Sequence, residues 1–234
     1  FEGADRNMMK RVVLIMILAT ASLFSLAAQE MPEDAVSIWS TTALKTSFGE
    51  DGRWEAGLMQ EYRHKFHEGV SQKDQWFMRP SVSYKVCSWL KLQYQFDLAS
   101  TSSGFNMRFL PEITFSHKVG DFSFAYRQRL QTTWKVEAGT NSTLLRSRLK
   151  VDYSIPETPL KVNFAIEPYW CEFSKDRFSW FQRNRWYAGF DIKLTESLTF
   201  TPQYNCQAYH NHKGKYARNT YDNHIIYFLL IYNL

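Results

Sequence analysis

The sequence predicts an all-β fold: a single antiparallel transmembrane β-barrel of ten to twelve strands, with short periplasmic turns and longer extracellular loops. Three observations carry that prediction. The last thirteen residues, Asp222 to Leu234, place an apolar side chain at every second position, namely Ile226, Phe228, Leu230, Tyr232 and Leu234. A closing strand with one face toward lipid needs that pattern, because a barrel leaves no open edge in hydrocarbon. Alternation continues back to Val36 with no amphipathic helical period. The alternating runs are also long, about 11 to 15 residues against ~5–6 in soluble sheets, which fits tilted membrane strands of ~9–11 residues with overhang.

The N-terminus reads as an export signal. Lys10 and Arg11 supply a positive start, Val12 to Leu26 an apolar run, and Ser25-Leu26-Ala27 a small-x-small cleavage site. The expected organisation is therefore an upstream extension plus cleaved signal peptide over 1–27. A short periplasmic segment follows over 28–35, and the barrel covers 36–234. Hydrophobic residues make up 44% of the chain at a mean hydropathy of −0.41, which excludes a helical membrane protein but suits strands that give every other residue to lipid. Aromatics at 17% supply enough rings for two interfacial girdles. A formal charge of +5, part of it in the leader, makes nucleic acid a poor partner.

In order, strands are expected at 36–46, 53–66, 75–86, 89–99, 105–119, 121–132, 143–155, 160–171, 181–194, 197–209 and 222–234. The fourth sends Leu90, Leu92, Tyr94, Phe96 and Leu98 to one face and Lys91, Gln93, Gln95 and Asp97 to the other. The sixth sets Phe122, Phe124, Tyr126 and Leu130 against Ser123, Ala125, Arg127, Arg129 and Gln131. The seventh sets Leu145, Leu149, Val151, Tyr153 and Ile155 against Arg146, Arg148, Lys150 and Asp152. Short connections at 87–88, 120–121, 156–159 and 195–197 alternate with longer polar ones, as barrels require. Parity fails only at the first, least alternating strand. Either 36–46 lies outside a ten-stranded cylinder, or a twelfth strand has been missed, or eleven strands close with one parallel pair. Pro80, Pro111, Pro168 and Pro202 fall inside strands, where each removes a ladder donor and marks an expected bulge or irregularity.

Trp39, Glu61-Tyr62-Arg63, Ser83-Tyr84-Lys85, Tyr126-Arg127-Gln128-Arg129, Arg146-Ser147-Arg148-Leu149 with Tyr153, and the aromatic closing strand together resemble a family of small Gram-negative outer-membrane barrels catalogued as domain of unknown function 2490. The resemblance covers roughly 36–234. It implies a location and a fold, and supplies no catalytic residues.

The candidate site lies on the inward face. Three strands carry Arg-x-Arg there, Arg127/Arg129, Arg146/Arg148 and Arg183/Arg185, each expected in the extracellular half with Arg63, Lys65, Arg79 and Arg108 at comparable heights. The inward acids are Glu61, Asp97, Glu112 and Glu167. Charges held away from water must be paired, so these residues predict a non-enzymatic barrel with a charge-paired lumen and an excess of arginine. The alternative is a small anion-preferring pore or anionic-ligand binder, since rings of arginine select anions. A second alternative is an outer-membrane lipid-modifying hydrolase. It would draw on loop residues His67, His210 and His212 near Ser71, Asn211 and Asp74, because His64, His117 and His224 fall on outward phase. His64, His67, His210 and His212 also form the best loop cluster for a metal, although neither a metal nor a cofactor is expected. Cys171 reads as inward and Cys206 as outward, with Cys87 in a periplasmic turn, so no disulfide pair is favoured. Trp54, Tyr84, Trp89, Phe122, Tyr153, Phe190, Phe200 and Tyr232 form one expected girdle; Phe66, Trp76, Trp134, Trp170, Trp180, Phe181 and Trp186 form the other. A sugar platform built from Trp134, Trp170 and Trp180 is the weaker alternative. The partners expected are outer-membrane lipid and lipopolysaccharide, the barrel-assembly machinery during biogenesis, and, on the pore reading, a small anionic solute.

Overall fold

The computed structural model describes residues 35–67, 70–101, 104–174, 177–211 and 218–234; the expected leader lies outside them. Eleven strands follow one another: β1 (Ala35–Phe48), β2 (Trp54–His67), β3 (Val70–Cys87), β4 (Leu90–Thr101), β5 (Gly104–Val119), β6 (Phe122–Lys135), β7 (Thr140–Ser154), β8 (Leu160–Ser174), β9 (Arg177–Lys193), β10 (Leu198–Asn211) and β11 (Arg218–Asn233). Each pairs with its sequence neighbour in an antiparallel ladder, and β1 closes on β11. The closing ladder is parallel and runs from Ala35↔Asn223 to Lys45↔Asn233. Of the three closures open to the sequence, the molecule adopts the eleven-stranded one with a parallel seam.

β1 does alternate, contrary to its sequence appearance. Ser37, Trp39, Thr41 and Ala43 are buried inward, while Ile38 and Leu44 face outward. The pattern is hidden because an aromatic ring points into the lumen and Ser40 and Thr42 take outward positions. Trp39 meets Tyr227 of β11 edge-on across the seam, at 6.3 Å between ring centres.

Two rims differ in kind. The connections 49–53, 88–89, 120–121, 155–159 and 194–197 define one rim. Gly120 there has φ +57, a left-handed value that glycine adopts without a Cβ penalty. Toward the other rim the strands run past the ends expected for them. Strand structure absorbs 70–74, 133–135 and 140–142, which the sequence left as loop.

The interior prolines do not produce bulges. Pairing between β3 and β4 steps from Met78↔Leu98 to Ser81↔Gln95, skipping Pro80 without changing register. The β5–β6 ladder skips Pro111 in the same way, between Phe109↔Thr132 and Glu112↔Arg129. So do the β7–β8 ladder at Pro168 and the β10–β9 ladder at Pro202. Each proline keeps a register partner on its other side, at Leu58, Tyr94, Asn184 and Phe228 respectively. The missing donor therefore weakens one ladder locally. Register shifts occur elsewhere, between Arg63/Lys65, Lys85/Cys87, Leu144/Leu145, Tyr169/Trp170 and Tyr209/His210.

The outer face is an apolar belt. Leu58, Leu92, Tyr94, Phe124, Leu149, Phe164 and Leu230 are among the large side chains left open to the surroundings. Water would disfavour so continuous a surface, whereas hydrocarbon accepts it; this is the membrane-spanning face. Paired rings gather toward the short-turn rim, with Phe48–Trp54 at 6.1 Å, Trp54–Tyr84 at 4.7 Å, Trp89–Phe115 at 6.1 Å and Phe122–Tyr153 at 4.8 Å. Trp170–Phe181 at 5.3 Å lies toward the hairpin rim. The Trp180 side chain, and with it the three-tryptophan platform, lies outside the described residues.

Candidate functional site

Strand phase delivers the site. Residues two apart share a face, so each Arg-x-Arg points both guanidiniums into the lumen, and the acids follow the same rule. A cavity of about 1000 Å³ occupies the interior, and nine arginines line it: Arg63, Arg79, Arg108, Arg127, Arg129, Arg146, Arg148, Arg183 and Arg185. Glu61 and Asp97 also line it, while Glu112 and Glu167 are buried in the wall behind the guanidiniums. The thirteen charged positions picked out by phase thus occupy one interior.

The Arg-x-Arg pairs stand nearer mid-height than the extracellular half expected for them. Arg129 is seven residues past Phe122 and six short of Lys135. The strands reach farther toward the hairpin rim than their polar ends indicate, which moves the midpoint outward.

Two clusters form. In the first, Glu61 accepts from Arg63 Nε at 2.6 Å and from Arg79 Nη2 at 3.0 Å, with Thr41 donating at 3.2 Å. Asp97 pairs with Arg79 at 3.1 Å and more loosely with Arg108 at 4.0 Å. Phe77, fully buried, lies beneath Arg63, Arg79 and Arg108 at 4.3, 4.8 and 4.9 Å from its ring centre. Arg63 also covers Trp39 at 3.6 Å. Ring faces attract these desolvated cations and hold them over the cavity.

In the second cluster, Glu112 takes Arg129 through Nε at 2.8 Å and Nη2 at 2.5 Å, with Arg127 Nε at 3.8 Å. Glu167 has no exposed surface and takes Arg127 at 2.6 Å and Arg146 at 3.0 Å. Its other oxygen accepts from the Tyr187 hydroxyl, which in turn accepts from Arg185 at 3.1 Å. Arg185 also donates to Gln207. Arg146 and Arg183 flank Tyr169 at 4.5 and 4.2 Å. Arg148 lies over Tyr187 at 4.3 Å and has no ion pair among the described residues. The first cluster sets three arginines against two carboxylates. Among the described residues the second sets six against two, so the surplus positive charge is concentrated on β6, β7 and β9.

The adjoining wall is neutral. β10 offers Thr199, Thr201, Gln203, Asn205 and Gln207 to the cavity. Gln203 donates to Asn163 at 2.8 Å, passing over Gly189 of the intervening strand. A Cβ on Gly189 would come within 2.5 Å of both Gln203 and the Pro202 carbonyl oxygen, so the bond requires glycine there.

Sequence reasoning missed the lumen aromatics Trp39, Phe77, Tyr169 and Tyr187, because it assigned aromatic rings to the membrane interfaces. Phase would have found them, since Tyr169 is two residues after Glu167 and Tyr187 two after Arg185. His64, expected outward, borders the cavity at the bulge between Arg63 and Lys65. His224 is outward but enclosed, and shares a hydrogen bond with the Tyr204 hydroxyl. The hydrolase residues His67, His210, His212, Ser71, Asn211 and Asp74 have side chains outside the described residues, as has most of the histidine metal cluster. Cys171 is a bulge residue with φ +43 rather than a regular inward position, and no disulfide joins Cys87, Cys171 and Cys206 among the described residues.

The profile of a family described as "Protein of unknown function (DUF2490)" matches residues 36–218. Among solved structures, one described as "NanC porin structure in rhombohedral crystal form" is similar over 80% of this chain and 93% of its own, with 13% sequence identity and a TM-score of 0.49. No curated protein sequence matches the chain.

Proposed function

The chain belongs to that family of unknown function, and from this premise we propose that it is an outer-membrane β-barrel whose arginine-lined lumen admits or binds small anions in preference to cations. The observation that carries the reading is the nine-arginine lining of a single cavity. That lining runs from Gln75 and Asn223 toward the hairpin rim down to Thr199 and Ile231 near the short turns. Fixed guanidiniums in a low-dielectric wall favour anions over cations. The carboxylates of the two clusters are already engaged by arginine, and Asp191 by Asn163, Thr201 and Lys150, so they leave the surplus positive. The apolar belt and the export signal read from the sequence support the outer membrane as the site of action, with lipid and lipopolysaccharide around the barrel and the barrel-assembly machinery as its partner during insertion. No reaction is proposed.

Planar-bilayer recording of the refolded protein under a potassium chloride gradient tests the reading. The reversal potential is expected to report anion preference, and Arg148→Ala to weaken it. Absence of channel events, or cation preference, would remove the pore form of the reading.

A further inference from the structure

Arg127 and Arg148 oppose each other directly in the β6–β7 ladder, and Arg129 and Arg146 do so two residues further along. Like charges at opposed positions of a ladder repel, yet here four guanidiniums form a block two strands wide. Two carboxylates reach the block. Glu112 serves Arg129 and, at 3.8 Å, Arg127; Glu167 serves Arg127 and Arg146. Two positive charges are left over. The enclosed Nε–H groups of Arg127, Arg146 and Arg148 have no hydrogen-bond acceptor among the described residues.

Position supplies an independent observation. A second cavity, about 390 Å³, lies toward the short-turn rim and includes Lys45, Glu55 and Thr114 in its lining. Arg127, Arg129, Arg148 and Lys150 border both cavities, as does Arg79, which Glu61 and Asp97 already hold. A solute passing from one to the other meets this block. Lys150 is already held by Asp152 at 2.7 Å, so the unmet demand falls on the arginines.

We infer that the Arg127–Arg129–Arg146–Arg148 block is the seat of one doubly charged oxyanion, of the sulfate, phosphate-monoester or dicarboxylate kind. Such an ion carries the two charges the block lacks and presents several acceptor oxygens. The planar guanidinium fork is built to engage oxygens of that type through paired N–H groups. This rests on the anion-preferring reading and adds two demands to it, a charge of two and a fixed place.

Thermal unfolding of the detergent-solubilised barrel, followed by heat-modifiable gel migration, tests the inference at constant ionic strength with sodium sulfate, sodium malonate or sodium chloride. Sulfate or malonate is expected to raise the midpoint where chloride does not. A larger response to sulfate assigns a tetrahedral ligand, and a larger response to malonate a dicarboxylate. Arg148→Gln removes a guanidinium that has no ion pair among the described residues and should weaken the dianion response roughly tenfold, the scale of one lost charge-assisted hydrogen bond. Lys45→Gln, near the short-turn rim, should leave it intact. If Arg148→Gln does not fold, Arg148→Lys keeps the charge without the fork and should still respond more weakly. Equal responses to all three salts, or an undiminished dianion response in the Arg148 variant, would overturn the inference. A barrel that conducts anions but shows no dianion response keeps the pore reading and loses this one; dianion binding without conductance does the reverse.

Discussion

At the residue scale, Glu167 and Gly189 show two ways a lumen can depend on one position. Glu167 is the acceptor shared by Arg127, Arg146 and Tyr187. Glu167→Ala would leave those guanidiniums facing one another with no carboxylate between them, and breaking a buried pair from one side costs about 3–5 kcal/mol. The expected outcome is a large drop in the unfolding midpoint, read as the temperature at which the folded gel band disappears. Gly189 acts by absence of a side chain. Gly189→Ala sets a methyl group against the Pro202 carbonyl oxygen and the Gln203 side chain; overpacking of that kind costs about 1–3 kcal/mol, which urea unfolding monitored by tryptophan fluorescence would register. The two positions differ in legibility. Glu167 was visible in the sequence because charge and phase coincide there. Gly189 was not, since nothing local shows that a glutamine on the next strand will reach across it.

At the element scale, the informative strand is β1. Its inward tryptophan and outward serine and threonine reverse the usual polarity, so the alternation that exposed the other ten strands was muted. Its direction could not be read at all, because parallel pairing is a relation between strands whose partners, such as Ala35 and Asn223, are 188 positions apart, and not a property of either. The seam makes a covalent prediction. In a background lacking Cys87, Cys171 and Cys206, the double substitution Ser40→Cys with Phe228→Cys places two thiols at partnered outward positions. Mild oxidation should cross-link them, giving a shifted band on a denaturing, non-reducing gel. A cross-link that instead forms with cysteine at positions far from Phe228 would refute the parallel register. The prolines taught a related lesson. The sequence locates each missing donor, but a neighbouring ladder on the far side holds the register, so pairing keeps its register where a bulge was expected.

At the scale of the whole molecule, fold class and the identity of the charged interior were legible because both follow from period-two alternation. The height of the arginines and the aromatic backing of the lumen were not, the first depending on how far hairpins extend beyond the belt and the second on rings that lipid and lumen claim equally. Refolded protein should migrate faster unheated than boiled, and migration indifferent to heating would contradict a closed barrel. The odd strand count has one more consequence. Because β1 runs alongside β11 in the same direction, the backbone enters the cylinder at the hairpin rim, level with Asn223, and leaves at the short-turn rim, where the Leu234 amide donates to Lys45 at 2.8 Å. Entry and exit therefore lie at opposite rims, and Ala35, the last residue of the segment expected in the periplasm, stands at the rim expected to face outward. With the hairpin rim facing outward, an epitope inserted immediately before Ala35 should be reachable by antibody on intact cells, and one appended after Leu234 only once the envelope is opened.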